Sequence, residues 1–311
     1  MGMSNYDAFE DNAPRIIPGS TSYFSAPSSE LDPKLFDGMS LKPWVRTGIL
    51  SLLFEYLAKN FNSPHQWTKA WLAGSGVSYQ WQAARDPGDL DCLVGINYVE
   101  FRRDNEEYTG YSNAEIAAMF NEGFNADLMP KTRNWEGYEL TFYVNQQSDI
   151  RDINPYAAYE LTGDFWTVTP QKNPNPPYSR AWEQKVQRDH DTAVDLVNSY
   201  SSALTELKGA TNPAYRTNAE RKLRLAEEQA ANYYHDIHSS RKLAFSQTGQ
   251  GYADFNNYRW QAGKKTGVVQ ALRSIKERKD ARDSQTQLDT YGVELPDATT
   301  LVRRAATRKA I

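Results

Sequence analysis

The chain has 311 residues, a length that suggests about two domains of ordinary size. Its formal net charge of -4 excludes a bulk polycation that coats nucleic acid, so any nucleic-acid contact would need a local basic patch. The single cysteine, Cys92, excludes an intrachain disulfide, and with only four histidines a zinc cluster is not expected.

The N-terminal segment is acidic and polar, unlike a signal peptide. Residues 1–33 hold Pro, Ser, Gly and acidic residues without periodicity, which predicts a mobile arm. No apolar run in the sequence is long enough to cross a bilayer. We therefore expect a cytoplasmic protein without a membrane partner.

Residues 34–172 are predicted to form an α+β domain, a small mixed β-sheet with packed helices. Apolar residues recur at helical spacing from Ser40, a plausible cap, to Phe61. Short apolar or alternating runs predict the strands. The remaining predicted elements are a strand at Lys69–Gly74, a short helix at 76–84, a strand at Leu90–Ile96, a helix at Ser112–Phe124 and a strand at Trp135–Asn145.

A Pro-rich stretch at Thr169–Ser179 predicts a domain boundary. Beyond it, residues 178–285 are predicted to form an α-helical domain, and 286–311 a loosely ordered tail. Helical spacing of apolar residues predicts three helices here, between Trp182 and Leu207, between Leu223 and Ile237, and at Thr266–Asp283.

Two aspartates, Asp89 and Asp91, open the second predicted strand. Side chains alternate across a strand, so these two carboxylates face the same way while Leu90 points into the core. Like charges at this spacing repel each other unless a cation lies between them, and Mg²⁺ prefers oxygen ligands completed by phosphates and water. Glu139, inside another predicted strand, is the candidate third acid of a metal site. Without a metal, the aspartates would merely finish a turn and Glu139 would be a rim residue.

Gly74 and Ser75 close the first predicted strand. Glycine allows close approach of the backbone to a ligand, and a helix start after a strand offers N–H groups to phosphates, to which a serine hydroxyl also donates. Tyr79 follows and is a candidate to flank a base or ribose, although an aromatic residue here is also typical of a core.

These residues resemble the nucleotidyltransferase superfamily, that of polymerase beta and the tRNA CCA-adding enzymes. Its mark is a Gly-Ser pair followed after about ten residues by Asp-x-Asp; here 13 residues separate Ser75 from Asp89. A closer likeness is to predicted nucleotidyltransferases of tailed bacteriophages, through "LKPWVR" (41–46), "GSGVSYQW" (74–81), "YELTFYV" (138–144) and "AAYELTGDFWTVTP" (157–170). The likeness covers about residues 35–172; Leu93 stands where a histidine is often found.

The resemblance implies a polymerase beta-like catalytic domain that moves a nucleotidyl group from an NTP to a hydroxyl acceptor. By it, Asp89 and Asp91 would bind Mg²⁺ or Mn²⁺, Glu139 would bind the catalytic metal and help deprotonate the acceptor, and Gly74 and Ser75 would hold the terminal phosphates. The acceptor is left open among an RNA or tRNA 3′ end, a protein hydroxyl and a small molecule such as an aminoglycoside. A phage-encoded protein would act in the host cytoplasm.

Two further hypotheses come from other features. One is a non-catalytic nucleotide- or RNA-binding protein, which would not need clustered acids. The other is a metal phosphohydrolase that uses His190, His235 or His238 with neighbouring aspartates. Candidates for acceptor binding combine positive charge with nearby aromatic rings, which suits phosphate neutralisation and base stacking: Arg259, Lys264 and Lys265.

Overall fold

The computed structural model describes residues 13–19, 22–84, 88–147, 149–172 and 179–292. These residues divide into two units. The sheet unit consists of residues 25–172 and 245–251, and the helical unit of residues 13–24, 179–244 and 252–292. The segment 173–178, on which the predicted boundary falls, lies outside the described residues, as does 293–311 of the predicted tail.

The sheet unit contains a small mixed β-sheet, as predicted. Its strands are ordered β5-β4-β3-β6-β7, and β4 and β5 are parallel whereas the other neighbours are antiparallel. A separate two-stranded pair precedes the sheet in the chain. The strands are β1 (Phe36–Asp37), β2 (Ser40–Leu41), β3 (Thr68–Ala73), β4 (Gly88–Ile96), β5 (Tyr138–Tyr143), β6 (Ala158–Glu160) and β7 (Phe165–Val168).

The helices of this unit are α1 (Pro43–Asn60), α2 (Pro64–Trp67), α3 (Tyr98–Asp104), α4 (Asn113–Gly123) and α5 (Met129–Thr132). Proline in the first turn starts α1, and Val45, Ile49 and Leu53 bury one face of it. Ser40 does not cap this helix, because it lies in β2 and Lys42 occupies the cap position. Ser112 caps α4 through a capping box with Glu115.

The two faces of the sheet are packed differently. Leu90, Cys92 and Val94 of β4 belong to the main hydrophobic core together with the apolar face of α1. Leu93, one residue out of phase, packs in a smaller cluster with Trp71 of β3. Asp89 and Asp91 share the phase of Leu93, so they lie on the face away from the main core, as predicted.

The helical unit contains α6 (Arg180–Gly209), α7 (Pro213–Ala244), α8 (Phe255–Thr266) and α9 (Val268–Tyr291). The three predicted helices correspond to α6, α7 and α9, and α9 includes residues 286–291 of the predicted tail. The sequence did not predict α8. Its start is set by Asp254, whose side chain accepts a hydrogen bond from the N–H of Asn256. No helix within the described ranges is long and apolar enough to cross a membrane.

Described residues of the predicted N-terminal arm pack on the helical unit. Ala13 and Ile16 contact its core, Tyr23 is buried, and the N–H of Gly19 donates to the carbonyl of Lys265 at 3.0 Å. The mobility of residues 1–33 stays a prediction.

The N-terminal segment at Ile17 lies close to Gly267, so a substitution of Gly267 tests how this segment packs on the helical unit. Gly267 joins α8 to α9 with φ +85°, and a Cβ atom added there would lie 2.0 Å from the carbonyl oxygen of Ile17. We expect Gly267→Ala to lower the free energy of unfolding of the helical unit by at least about 2 kcal/mol, because backbone strain adds to the clash. Denaturant titration of the full chain measures this.

The matched control is Gly292→Ala, since Gly292 has φ +70° and nothing within 4 Å of the added Cβ. It should cost no more than about 1 kcal/mol, from the backbone conformation alone. Equal losses for the two variants would show that the Ile17 segment does not pack against Gly267.

Candidate active site

The register of the parallel pair β4 and β5 brings the three predicted acids together. Asp89 pairs with Glu139, and Asp91 pairs with Thr141. Paired residues of neighbouring strands point to the same face, and adjacent strands lie about 4.8 Å apart. Asp89, Asp91 and Glu139 therefore line one patch of the sheet, on the face away from the main core.

The Gly-Ser turn lies against this patch. Ala73 pairs with Asp91, so the chain leaves β3 beside the second aspartate. Gly74 adopts φ +92°, and a Cβ atom there would lie 3.2 Å from Oδ2 of Asp91. At Gly76 an added Cβ would lie 2.2 Å from the carbonyl oxygen of Asp89. Only glycine fits a backbone this close, so the turn and the aspartates form one packed arrangement.

The short helix predicted over 76–84 is wrong. A 3₁₀ turn at Ser75–Val77 takes its place. The hydroxyl of Ser78 donates to the carbonyl of Ser75 at 2.9 Å and accepts from the N–H of Gln80 at 3.1 Å. Such local bonds of a serine side chain to the backbone compete with helix formation. The N–H of Gly74 donates to the carbonyl of Ala157 at 3.1 Å, so this group is already used within the fold.

The acids differ in exposure. Glu139 is exposed, Asp89 and Asp91 are half-buried, and Leu90 between them is fully buried. Cys92 follows on the core side, where burial, and after it the charge of Asp91, raises the pKa of the thiol far above its usual range. The thiol therefore stays protonated and takes no part in chemistry.

The three carboxylates are suitable ligands for a hard cation, but they are not arranged around a common point. Carboxylate oxygens are the ligands that Mg²⁺ prefers. Within the described part of the chain, no group of three or more His, Cys, Asp or Glu side chains is arranged to hold a metal ion. The register fixes the three backbones side by side. A metal would thus have to draw these carboxylates together.

Tyr79 lies after the turn and is half-buried against the main core. Its backbone carbonyl accepts a hydrogen bond from the N–H of Ser28 at 2.7 Å. The ammonium group of Lys172 lies 5.0 Å from the centre of its ring, within cation–π range. Packing thus accounts for this ring, and its assignment to nucleotide binding stays a prediction.

Sequence reasoning missed a support beneath the acids. The hydroxyl of Tyr138, next to Glu139, donates to Oδ2 of the buried Asp32 at 2.6 Å. An added Cβ at Gly88 would lie 2.6 Å from the Tyr138 ring, so the ring also holds the start of β4. Asp32 and Tyr138 are 106 residues apart, and no local pattern signals such a contact.

The predicted acceptor-binding residues lie on α8 in the helical unit. Arg259 forms hydrogen-bonded ion pairs with Asp189 at 2.8 Å and with Asp236 at 2.7 Å, and its side chain is 13% exposed. Its charge therefore serves the packing of three helices. Lys264 and Lys265 lie in the last turn of α8, and the Lys265 ammonium group lies 4.9 Å from the Phe24 ring centre.

The histidines of the phosphohydrolase hypothesis do not form a metal site among the described residues. His190 lies on α6, and His235 and His238 on α7. His238 stacks on Tyr234, and burial followed by the charges of Lys242 and Arg241 lowers its pKa. Its role is packing.

Comparison with protein-family models, with curated proteins and with solved structures found no match to this chain.

The tyrosines of the sheet unit predict a pH dependence. Tyr138 donates to Asp32, and Tyr159 of β6 donates to Asp164 at 2.8 Å. Burial, and then the bond to the carboxylate, raises the pKa of Tyr138 well above its usual range and that of Tyr159 to about 12. A tyrosine in the unfolded chain titrates near pH 10. Since both folded values are higher, this contribution to stability is complete below about pH 10 and is lost as the pH rises further.

Above pH 10, each of the two tyrosines, Tyr138 and Tyr159, lowers the free energy of unfolding by about 1.4 kcal/mol per pH unit. We expect Tyr138→Phe to be less stable at pH 7, where it lacks the bond to Asp32, and to lose less stability above pH 10. Urea titration from pH 7 to 11.5 measures both effects. Tyr215→Phe, at a site 72% exposed, should keep the unmodified profile. An unchanged alkaline slope in Tyr138→Phe would contradict the assignment.

Proposed function

We propose that the protein is a metal-dependent nucleotidyltransferase that moves a nucleotidyl group from an NTP to a hydroxyl acceptor. The observation that carries the proposal is the pairing of Asp89 with Glu139 while Asp91 lies against the Gly74 turn. Three carboxylates on one sheet face are an arrangement that can hold a divalent cation beside a triphosphate. A site that binds a cation and a triphosphate explains why they lie together.

Asp89, Asp91 and Glu139 would hold Mg²⁺ or Mn²⁺, and the Gly74–Ser75 turn would face the terminal phosphates. The bound metal would neutralise the triphosphate and increase the acidity of the acceptor hydroxyl. In the reaction, the acceptor oxygen bonds to the α-phosphorus and the bond from that phosphorus to the bridging oxygen breaks. Pyrophosphate leaves with this oxygen, and a carboxylate oxygen of Glu139 takes the hydroxyl proton.

The chain contributes mainly position and charge. Glu139 is exposed and can meet an acceptor from solvent, whereas the half-buried Asp89 and Asp91 are fixed by β4. Neutralisation of charge at the transferred phosphate is a large part of catalysis in phosphoryl transfer.

One observation favours a second candidate function. The carboxylates are not converged among the described residues, which suits a protein that binds a nucleotide or RNA without transfer. Release of pyrophosphate separates the two functions, since a binding protein releases none.

Asp91→Asn tests the proposed activity. The protein is incubated with Mg²⁺, total RNA and cell extract, together with each α-labelled NTP in turn, and both label transfer and pyrophosphate are measured. We expect the variant to lose at least about 100-fold in rate, because an amide neither neutralises charge nor binds a hard cation as a carboxylate does. Thermal unfolding of the variant without metal checks that it folds.

The matched control is Asp127→Asn, which removes an exposed carboxylate elsewhere in the same unit. It should keep full activity and keep the thermal stabilisation that Mg²⁺ and NTP confer, which Asp91→Asn should lose. Full activity of Asp91→Asn would refute the assignment of this site.

A further inference from the structure

A cavity of about 1020 Å³ lies in the sheet unit, at the other end of the strands that carry the acids. Thr68 and Lys69 of β3 and Gly95 and Ile96 of β4 line it. Thr68 pairs with Ile96, whereas Ala73 pairs with Asp91. Thr68 and Ala73 are therefore about 17 Å apart along β3. Trp71, between them, also lines the cavity.

The cavity exists because β6 is short. β6 pairs with β3 along Trp71–Ala73, and the N–H of Leu161 donates to the carbonyl of Ala70, so Thr68 and Lys69 continue past this pairing. Thr68 is 6% exposed, and its Oγ1 has no hydrogen-bond partner among the residues that the structure describes. A buried hydroxyl without a partner costs free energy, which is typical of a place where a ligand or water supplies the bond.

One wall presents stacked rings. Phe54 of α1 and His65 of α2 both line the cavity, with ring centres 4.0 Å apart and planes inclined by 27°. Phe54 is half-buried against the main core, which holds its ring in place, and His65 is exposed. Stacked rings of this kind suit a flat heteroaromatic ligand, because every nucleobase has a face that stacks on them.

Another part of the lining carries charges of both signs. Lys69 lies 3.6 Å from Glu160, and Arg151 contacts Asp149 at 2.6 Å. The side chains of Lys69 and Arg151 are 63% and 81% exposed, so their ammonium and guanidinium groups can reach phosphates. Arg46 adds a third positive charge, held by a bond from Nε to the carbonyl of Leu161 at 2.6 Å.

We infer that this cavity binds a nucleotide of single-stranded RNA. The Phe54–His65 pair would stack on the base, Lys69 and Arg151 would neutralise phosphates, and the carboxylates of Asp149 and Glu160 would accept hydrogen bonds from ribose hydroxyls. A deoxyribose lacks the 2′-hydroxyl, so the site would prefer RNA to DNA. The claim that the bound RNA is the acceptor rests on the proposed nucleotidyl transfer. The claim that the cavity binds RNA does not depend on that activity.

Fluorescence anisotropy with a labelled oligoadenylate and its DNA counterpart tests the site. We expect His65→Ala to weaken RNA binding about tenfold and His65→Phe to restore it, because stacking needs a ring and not a charge. The double variant Lys69→Gln/Arg151→Gln should weaken binding and reduce the salt slope by about 1.4, the loss of two phosphate contacts on a single strand. Asp149→Asn should lessen the preference for RNA.

The matched control is Lys59→Gln, an exposed lysine of α1 outside the cavity, which should bind RNA as the unmodified protein does. Thermal unfolding of each variant checks that it folds. The inference would be overturned if His65→Ala and the double variant bound RNA as tightly as the unmodified protein does. It would also be overturned if the unmodified protein bound RNA and DNA with equal affinity.

RNA binding by the cavity and nucleotidyl transfer at the acids can be tested separately. RNA binding that is lost in His65→Ala but accompanied by no nucleotidyl transfer would support the cavity and refute the activity. Transfer to RNA with an unchanged KM for RNA in His65→Ala would support the activity and refute the cavity.

Discussion

The parallel register of β4 against β5 is the constraint on which the candidate site depends. It pairs Asp89 with Glu139 and Leu90 with Leu140. Because side chains alternate with a period of two, a slip of one residue would turn the aspartates into the main core and expose Leu90. Burying two carboxylates without partners would cost far more free energy than the fold can supply. The apolar pattern of β4 thus determines on which face the acids appear.

Contacts at the start of both strands fix this register. Gly88 lies against the ring of Tyr138, and its N–H donates to the carbonyl of Gly137 at 3.0 Å. The Tyr138 hydroxyl is held by Asp32, whose other oxygen accepts from the N–H of Lys34 at 2.9 Å. The acids therefore follow directly on a hydrogen-bonded anchor, which limits how far their backbones can move as charge is brought to the site.

The sequence allowed prediction wherever the signal was local. The buried face of α1 and the alternation in β4 each follow from residues a few positions apart, and the structure agrees. The placement of Asp89 and Asp91 on one face followed from alternation alone. That Glu139 pairs with Asp89 needs the register, which sequence reasoning assumed and the structure supplies.

Prediction failed where side chains override local propensity or where distant segments meet. The Ser78 hydroxyl donates to the carbonyl of Ser75 and accepts from the N–H of Gln80, and a 3₁₀ turn replaces the expected helix. The helix α8 is polar, and buries Asn257 and Tyr258 rather than an aliphatic face, so its sequence resembles a loop. The cavity is lined by residues from α1, α2, β3, β4 and the segment after β6, and no motif spans such distances.

The acids and the cavity lie at opposite ends of the same strands, which makes their separation a property of the sheet. Trp71, which also lines the cavity, forms a small hydrophobic cluster with Leu93 and Ile150 on the face that carries the acids. This cluster is packed and nearly dry, with Leu93 fully buried, so it resists deformation. The distance of about 17 Å along β3 is consequently stiff. If one nucleotide of a flexible RNA chain is held at the Thr68 end of the cavity, only a terminus several nucleotides away would reach the acids. The length of β3, and not a loop, would then decide which end of an acceptor meets Asp89, Asp91 and Glu139.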